Sequence, residues 1–329
     1  MQIIRNFQNI NYDLQNTVLT IGNFDGVHLG HQEILSFIKT NFKVNDNQFT
    51  KQSGAGANLK SALLTFEPHP LKIIKPNQIF DQKIYSLAQK LSILKSQKLL
   101  DIVFVSPFNQ RLANLSAKDF VENFLVKTLR IKHLVVGYDF IFGKDRLGNA
   151  DLLEEMAKIY NFSFHQISAK TNLSQQVYSS TQIRNFISSG NIESANQMMG
   201  RKYQVKGIVI EGRKLARNLG FPTANFLPKK DLIRPKFGVY KVNFLIDQKK
   251  SIPQKYPAIL NFGVKPTISQ NEKNYPTQQP LFEVHIPNFN QDIYGKKITV
   301  EFLEFIREEK KFPSILELKQ QIIKDVEFL

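Results

Sequence analysis

The stretch Thr17–His31, TVLTIGNFDGVHLGH, decides the fold of the N-terminal half of the chain. It opens with a short run of apolar and β-branched residues that ends at Gly22, which predicts a buried strand. After a loop at 23–27, apolar residues recur at helical spacing from about Leu29 to Thr40. A strand that leads through a glycine-containing turn into a helix is typical of a parallel sheet with helical crossovers.

The same alternation of strands and helices continues along the chain. Further strands are predicted at 61–66, 101–105 and 133–137, and helices at 83–98, at 116–128 and from about Thr181. A polar segment at 43–60, rich in Gly, Ser and Asn, is predicted to be a loop. Together these elements predict an α/β domain with a doubly wound, Rossmann-like parallel sheet.

From Gln204 onward the pattern changes to strands separated by turns that contain Gly, Pro and Asn. The predicted strands are 205–210, 224–227, 238–246, 256–262, 281–286 and 297–306. This spacing predicts an antiparallel barrel or sandwich, followed by one helix whose start is marked by a capping-box pair, Ser314 and Glu317. We expect the domain boundary between 188 and 203, and we divide the chain into 1–190 and 191–329.

The composition excludes several classes of function. The chain has 329 residues and no cysteine, which excludes disulfides, thiolate metal sites and cysteine nucleophiles. It has no apolar run of about 18 residues and no apolar signal-peptide core, so we expect a cytoplasmic protein without a membrane partner. The net charge of +16 suits an acidic partner, but no basic stripe with interleaved aromatic residues stands out, so nucleic-acid binding is not expected.

The turn between the first strand and the first helix is the first candidate site. Ligands of open α/β sheets bind beyond the carboxyl ends of the strands, and a helix N-terminus favours a phosphate. Gly26 and Gly30 allow the backbone to approach a phosphate closely. His28 and His31 are three residues apart, so both can project from the first helical turn and stabilise charge that develops in nucleotidyl transfer. The alternative is an ordinary turn with two surface histidines, and their spacing does not suit zinc.

Three other segments follow later strands or open a helix in the same half. They are 65–70 (TFEPHP), 136–148 (VGYDFIFGKDRLG) and 179–184 (SSTQIR). Ser180 or Thr181 is suited to cap a helix, and Arg184 is suited to bind a polyphosphate bidentately. Taken singly these are ordinary cap and surface residues, but together they indicate one cleft. The string around the two histidines resembles the H-x-G-H signature of the nucleotidylyltransferase superfamily.

The second candidate site begins at 220–225, GFPTAN. Thr223 and Asn225 are two apart on an extended segment, so their oxygen atoms project to one side and suit Mg²⁺ that carries nucleotide phosphates. Glu283 lies on a predicted strand between apolar residues of the core face, so it points to the opposite face and is placed to accept a hydroxyl proton. The alternatives are a proline turn that leads into a strand and a solvated strand glutamate.

Several strings in this half resemble those of one family, the bifunctional bacterial riboflavin kinase/FAD synthetases. They are 220–225 (GFPTAN), 238–240 (GVY), 261–267 (NFGVKPT), 282–285 (FEVH) and 292–295 (DIYG). The resemblance covers about residues 17–325 and includes the order of the two domains. It implies a nucleotidylyltransferase domain, the FAD synthetase, followed by an antiparallel β-barrel riboflavin kinase domain with a C-terminal helix.

The resemblance implies two reactions and their participants. The C-terminal domain would phosphorylate riboflavin with ATP and Mg²⁺ to give FMN. The N-terminal domain would transfer AMP from a second ATP to FMN, which gives FAD and pyrophosphate. The implied partners are therefore riboflavin, FMN, FAD and ATP as co-substrate, with Mg²⁺ as the metal.

The resemblance also implies residue roles. His28, His31 and Arg184 would be catalytic in adenylyl transfer, Glu283 would be the kinase base, and Thr223 and Asn225 would hold the metal and phosphates. The other implied nucleotide- and flavin-binding residues are Gly22, Asn23, Phe24, Asp25, Gly26, Gly30, Asp139, Phe140, Phe142, Arg146, Ser180, Thr181, Gly220 and Pro222. Because the chain has no Trp, flavin stacking would fall to a Phe or Tyr, with Phe24, Phe140 and Phe142 as the candidates.

The chain departs from the family pattern at two further places. Ala216 stands where a glycine is expected in the kinase loop, and an alanine is strained there if the backbone φ is positive. The 43–60 segment is longer than the family norm. Three alternatives are weighed: an adenylyltransferase with another acceptor, a class I aminoacyl-tRNA synthetase, and a non-enzymatic RNA- or flavin-binding protein. The GFPTAN half argues against the first, the lack of an evident anticodon-binding region against the second, and the intact candidate residues against the third.

Overall fold

The structure is a computed structural model that describes residues 1–5, 17–42, 59–75, 82–171, 175–211, 221–247, 254–264 and 280–329. The chain divides into two compact units, one of Met1–Asp81 and Tyr85–Ser180 and the other of Gln82–Ile84 and Thr181–Leu329. Ala216, Gly220 and all but the last two residues of the predicted 43–60 loop lie outside the described residues. In the part of the chain that is described, no helix combines the length and the apolar character needed to cross a membrane.

The first unit contains a six-stranded sheet in which all neighbouring strands are parallel. Its strands are β1 (Gln2–Arg5), β2 (Thr17–Ile21), β3 (Lys60–Glu67), β4 (Ile102–Pro107), β5 (His133–Gly137) and β6 (Ser163–Ile167). Their order across the sheet is β1-β4-β3-β2-β5-β6. Strands that are joined by helices and lie parallel give the α/β architecture that the sequence predicts.

The helices of the first unit connect these strands. They are α1 (Leu29–Asn41), α2 (Pro70–Ile74), α3 (Leu87–Gln97), α4 (Gln110–Ala113), α5 (Ala117–Asp119), which continues as a π-helix (Phe120–Thr128), and α6 (Ala150–Tyr160). The predicted 83–98 helix begins later, at Leu87, because Ser86 caps it in a reciprocal capping box with Gln89. Short 3₁₀ turns occupy Asp25–Val27 and Lys144–Arg146.

Apolar side chains cover both faces of the parallel sheet. On one face, Leu64 of β3 belongs to a buried cluster with Val121 of the π-helix and Leu153 of α6. On the other, its neighbour Leu63 belongs to a cluster with residues of α1 and α3. Because successive strand residues point to opposite faces, a strand covered on both sides is buried without interruption, which β3 shows over 61–65. The doubly wound sheet is thereby confirmed.

The second unit is built around a six-stranded antiparallel sheet. Two helices, α7 (Ser180–Ser189) and α8 (Ile192–Met199), precede it in the chain. Its strands are β7 (Tyr203–Ile208), β8 (Thr223–Phe226), β9 (Gly238–Ile246), β10 (Lys255–Val264), β11 (Pro280–His285) and β12 (Lys297–Arg307), and the chain closes with α9 (Ile315–Val326). The Ser314 hydroxyl accepts the Glu317 amide proton at 3.2 Å and so caps α9.

This sheet curls so that its two edge strands approach each other. The order is β7-β12-β9-β10-β11-β8, yet Ile210, just after β7, donates its amide proton to the Asn225 carbonyl on β8 at 2.8 Å. A Cβ atom at Gly207 would lie 2.5 Å from the Phe226 ring, so only glycine fits where β7 passes β8. Fully buried aromatic rings fill the interior: Tyr203, Tyr240, Phe226, Phe244, Phe262, Phe282 and Phe302. The predicted antiparallel barrel with a C-terminal helix is confirmed.

Candidate active sites

The turn after β2 has an unusual backbone. Phe24, Gly26 and Val27 have φ values of 49°, 77° and 44°, so three of four consecutive residues are left-handed. Two of them are not glycine, and a residue held in such a region costs about 1–3 kcal/mol. Such strain persists only where surrounding contacts hold it, and it is concentrated at functional sites. The strain therefore marks this turn as a candidate site independently of its residue types.

His28 and His31 form a stack at the start of α1. Their ring centroids lie 3.6 Å apart, and the Phe24 ring stacks on the other side of His31 at 4.4 Å. His28 is the N-cap of α1, and its Nδ1 accepts the His31 amide proton at 3.4 Å. A Cβ atom at Gly30 would lie 3.2 Å from the His28 ring, so any larger residue at this position would crowd the ring. The sequence-predicted histidine pair is thus brought together, and one member also has a structural role.

Contacts from distant segments hold the same turn. The Ser180 hydroxyl donates to the Asp25 carbonyl at 2.9 Å, and Asp25 Oδ1 accepts the Tyr85 amide proton at 3.5 Å. Lys90, which the sequence did not point to, donates from Nζ to the Asn23 carbonyl at 2.8 Å. The Asn23 side-chain oxygen is buried and has no hydrogen-bond partner among the described residues, which suits a group that meets a ligand.

The 138–148 segment follows β5, and its predicted site residues differ in exposure. Asp139 and Arg146 are exposed, and Arg146 has a φ of 61°. Phe142 is 7% exposed and exchanges two backbone hydrogen bonds with Gly148. Phe140 is half-buried and stacks on Phe142 at 5.5 Å. Of the three candidate stacking rings, Phe24 and Phe142 are buried against other protein groups, and Phe140 has the most accessible surface.

The remaining predicted residues of this half lie in the first turns of α7. Ser180 is the last residue of the first unit, whereas Thr181 and Arg184 belong to the second. Thr181 is exposed, and Arg184 is 9% exposed. A nearly buried arginine makes a fixed guanidinium, which is the form that binds phosphate in one geometry.

In the second unit, Glu283 lies between two amide side chains in the sheet. It is directly opposite Asn225 on β8 and directly opposite Asn261 on β10. Partners in register share one face of the sheet, so the three polar side chains form a row. Phe282 and Val284 are buried on the other face, as the alternating pattern predicts. Thr223 is in register with His285, one step along the same two strands.

A cavity of about 480 Å³ lies beside β8. Its lining includes Pro222, Thr223, Asn225, Asp292 and Tyr294. Asn225 is 4% exposed, and its side-chain oxygen has no hydrogen-bond partner in the described part of the chain. No group of three or more His, Asp or Glu side chains that could hold a metal occurs among the described residues. A hydroxyl and an orphaned amide oxygen fit Mg²⁺, which keeps several waters and takes its other ligands from phosphates.

A second cavity of about 380 Å³ lies between the sheet and α9. Glu283 and His285 line it from β11, and Leu318 and Ile322 line it from α9. Thr223 lines both cavities, so the two are adjacent. Two parallel hydrogen bonds between Arg307 on β12 and Asp325 on α9, at 2.9 and 2.7 Å, fix the helix over this cavity.

Two titratable groups of this cavity have shifted pKa values. Burial lowers the pKa of His285, although its Nδ1 contact with the Pro222 carbonyl at 3.1 Å acts in the opposite direction. Partial burial, with the nearby charge of Glu283, raises the pKa of the Glu309 carboxyl. Glu309 lies against Gly263, where a Cβ atom would overlap its carboxylate. The sequence analysis missed Glu309, because nothing in the R-E-E-K run separates it from a solvated charge cluster.

Comparisons with known proteins match both halves of the chain. A family model described as FAD synthetase matches residues 10–182, and one described as riboflavin kinase matches residues 199–329. A bifunctional riboflavin kinase/FMN adenylyltransferase of Buchnera aphidicola subsp. Schizaphis graminum is 36% identical over 329 residues, which cover 100% of this chain and 98% of that protein. One from Escherichia coli K12 is 34% identical over 326 residues, covering 99% of this chain and 96% of that protein.

A solved structure shares the fold over its whole length. It is described as a macrolide-efflux protein from Streptococcus pneumoniae, with a TM-score of 0.80 and 26% identity, and the match covers 99% of this chain and 98% of that one. The description of that protein does not carry over to this chain, whose sequence matches point elsewhere. Because two family models match most of the chain and the relatives match it over its full length, the chain belongs to the bifunctional riboflavin kinase/FMN adenylyltransferase family.

Proposed function

We propose that the two activities of the enzyme lie in separate domains, adenylyl transfer in residues 1–190 and riboflavin phosphorylation in residues 191–329. The observation that carries this division is the pair of distinct constellations described above. One is the strained turn with the stacked His28 and His31 rings. The other is the row of Asn225, Glu283 and Asn261 on the antiparallel sheet.

In the kinase reaction, Glu283 is the general base. It takes the proton of the ribityl 5′-hydroxyl of riboflavin as that oxygen bonds to the γ-phosphorus of ATP, and ADP leaves. Riboflavin then occupies the cavity under α9, where apolar residues face its ring system. ATP occupies the cavity beside β8, with Gly220, Pro222, Thr223 and Asn225 as its binding residues. Thr223 and Asn225 would hold Mg²⁺, which when bound would neutralise charge on the phosphates.

In adenylyl transfer, the phosphate of FMN bonds to the α-phosphorus of ATP and pyrophosphate leaves. His28 and His31 donate hydrogen bonds to the transferring phosphate, and Arg184 binds the polyphosphate. The N-terminus of α1 adds partial positive charge at the same place. No proton needs to be removed from FMN, because its phosphate is already ionised at neutral pH. The residues therefore act by orientation and charge stabilisation alone.

The binding residues of the adenylyl site fall into two groups. We assign the nucleotide to the turn of Gly22, Asn23, Asp25, Gly26 and Gly30 and to Ser180, which bonds to that turn, because the Asn23 side-chain oxygen there has no hydrogen-bond partner among the described residues. Thr181 is assigned to the nucleotide on the family resemblance alone. We assign the flavin to Asp139, Phe140 and Arg146, of which Phe140 offers the most accessible of the three candidate rings. Phe24 then packs against His31 and Phe142 against Phe140, so each ring holds a site residue in place without contacting the flavin.

The proposal extends to location and partners. A cytoplasmic enzyme with riboflavin, FMN, FAD and ATP as its ligands accounts for both sites, and no nucleic-acid partner is required. The basic excess of the chain suits its phosphorylated ligands.

The test is a product analysis of the purified protein. It is incubated with riboflavin and MgATP, and separately with FMN and MgATP, and the flavins are resolved by chromatography. We expect FMN and FAD from the first mixture and FAD with pyrophosphate from the second. FAD from FMN alone would contradict the kinase assignment, and Ala216→Gly would then test whether that loop position is the cause. No turnover in either mixture, with oxidised or reduced flavin, would contradict both assignments.

A further inference from the structure

Lys90 is a buried cation beside the adenylyl site. It lies on α3 and is 7% exposed. Its Nζ donates to the Asn23 carbonyl at 2.8 Å and to the Thr65 hydroxyl at 2.9 Å. The Thr65 hydroxyl in turn donates to the same Asn23 carbonyl at 3.2 Å. Three groups from α3, β3 and the turn after β2 therefore form a closed triangle of hydrogen bonds.

Packing alone does not explain a lysine at this position. The same helix buries Leu91 and Leu94 in the apolar cluster on this face of the sheet, so an apolar side chain would suit the helix as well. Burying an ammonium group is unfavourable unless hydrogen bonds replace its water. Lys90 makes two such bonds, one to the start of the turn after β2 and one to Thr65 of β3. A buried ammonium group is unfavourable for α3 itself, so its presence indicates that it serves the turn to which it bonds.

The bonded carbonyl lies directly before the strained residues. Asn23 precedes Phe24, the first of the left-handed residues of the turn. The Ser180 hydroxyl and the Tyr85 amide both bind Asp25, in the middle of the turn. Lys90 and Thr65 bind the Asn23 carbonyl at its start. The strained turn is therefore held from outside at two points, and such outside contacts are the condition for strain to persist.

We propose that Lys90 is a positioning residue for adenylyl transfer. Through the Asn23 carbonyl and the Thr65 hydroxyl, its ammonium group holds the turn in the conformation that places the stacked His28 and His31 rings at the head of α1. This rests on the proposed assignment of adenylyl transfer to this site. Lys90 acts on the backbone of the turn, and the histidines act on the phosphate.

The proposal predicts a particular kinetic change. Lys90→Met keeps the length of the stem and removes the charge and its hydrogen bonds. Because a shift of about 1 Å in catalytic groups can cost about 100-fold in rate, we expect kcat for FMN adenylylation to fall about 10- to 100-fold. We expect the KM values for ATP and FMN to stay within about threefold, since the binding groups remain.

Thr65→Val is a second, milder variant, which keeps the proposal testable if Lys90→Met does not fold. It removes one hydroxyl and preserves shape, so it should fold, and we expect a smaller fall in kcat. If both side chains act on the one carbonyl as a unit, the kcat of the double variant should be within about twofold of that of the slower single variant.

Lys39→Met is the matched control. Lys39 is an exposed lysine of the same unit that also donates to a backbone carbonyl, that of Lys98, and its removal should leave kcat unchanged.

Riboflavin kinase activity of the same variant proteins is the internal reference, measured well below the thermal unfolding midpoint. A kcat for adenylylation within about twofold of the parent in Lys90→Met would overturn the proposal, as would a parallel fall in both activities. His28→Asn separates this failure from failure of the site assignment. If FAD formation survives in His28→Asn, the site itself is wrongly assigned. If FAD formation is lost in His28→Asn but retained in Lys90→Met, only the positioning role of Lys90 is contradicted.

Discussion

The His31 ring lies between two other rings, with its centroid 3.6 Å from that of His28 and 4.4 Å from that of Phe24. The stack holds His31 in one orientation, and the cap bond holds His28 at the head of the helix. Both imidazoles are thus fixed before any ligand arrives. Preorganised donors cost no reorganisation during the reaction, which is what stabilisation of a transferring phosphate requires.

His28→Asn should separate the catalytic from the capping role of His28. Asparagine is a strong N-cap residue, so α1 should keep its start, while the imidazole is lost. We expect FAD formation from FMN to fall about 100-fold or more, since one lost oxyanion donor has that order of effect. FMN formation from riboflavin should be unchanged. The exposed strand variant His165→Asn is the control, and equal loss of both activities in His28→Asn would contradict separate sites.

Glu283→Gln should show the converse. The amide keeps the shape of the side chain and its place between Asn225 and Asn261 but cannot accept the hydroxyl proton. Loss of a general base commonly costs about 100- to 10,000-fold, so phosphorylation of riboflavin should nearly cease. Supplied FMN should still be converted to FAD at the parental rate. Glu304→Gln, an exposed glutamate on β12, is the control, and kinase activity that persists in Glu283→Gln would exclude the base assignment.

Asn225→Leu tests the metal assignment. The leucine is similar in size, and the backbone carbonyl that bonds Ile210 is retained, so the closure of the sheet should survive. We expect the Mg²⁺ concentration for half-maximal kinase activity to rise about tenfold or more, because an oxygen ligand is gone. The Mg²⁺ dependence of adenylylation, titrated on the same sample, should not move. A parallel shift in both titrations would argue against Asn225 as a kinase ligand.

Glu301 should make the second unit sensitive to acid. Burial opposes its charged form, but hydrogen bonds from Lys255 at 2.8 Å and Asn243 at 3.2 Å prevail and lower the pKa of Glu301 below its ordinary value of 4.5. A lowered pKa in the folded state contributes stability above the unfolded value, and that stability is lost as pH falls below 4.5 through the folded value.

Glu301→Gln is the variant that checks this sign. At pH 7 it should reduce the free energy of unfolding by about 1–2 kcal/mol, because charge-assisted hydrogen bonds are replaced by neutral ones. Between pH 6 and pH 3 its stability should then fall less steeply than that of the parent, as followed by denaturant titrations across that range. Identical pH slopes for the variant and the parent would refute the role of Glu301, and Glu304→Gln, a substitution at an exposed position of the same strand, is the control.

Local pattern predicted most of the elements. Buried strands such as β3 and β5 have an apolar run at their centre, and the alternation along β11 places Glu283 on the face opposite to Phe282 and Val284. These signals are local because side-chain direction repeats every two residues in a strand. β1 and β6 were missed, since each lies at a sheet edge and buries few of its side chains. The π-helix within the predicted 116–128 helix was also missed, because its buried residues, Phe120, Val121, Phe124 and Leu125, have a spacing that an α-helix would bury equally well.

The sequence by itself determined the order of the two domains, the strand–turn–helix that carries His28 and His31, and the strand residues Thr223, Asn225 and Glu283. These follow from periodicity and from motifs whose members are near one another in the chain. Only the tertiary structure decided which distant groups complete each site. Lys90 reaches the Asn23 carbonyl across 67 positions in the sequence, and Glu309, just beyond the end of β12, lines the cavity that Glu283 also lines. The reason is physical: a hydrogen bond between remote segments depends on how the sheet and its helices pack, and no local pattern encodes that distance.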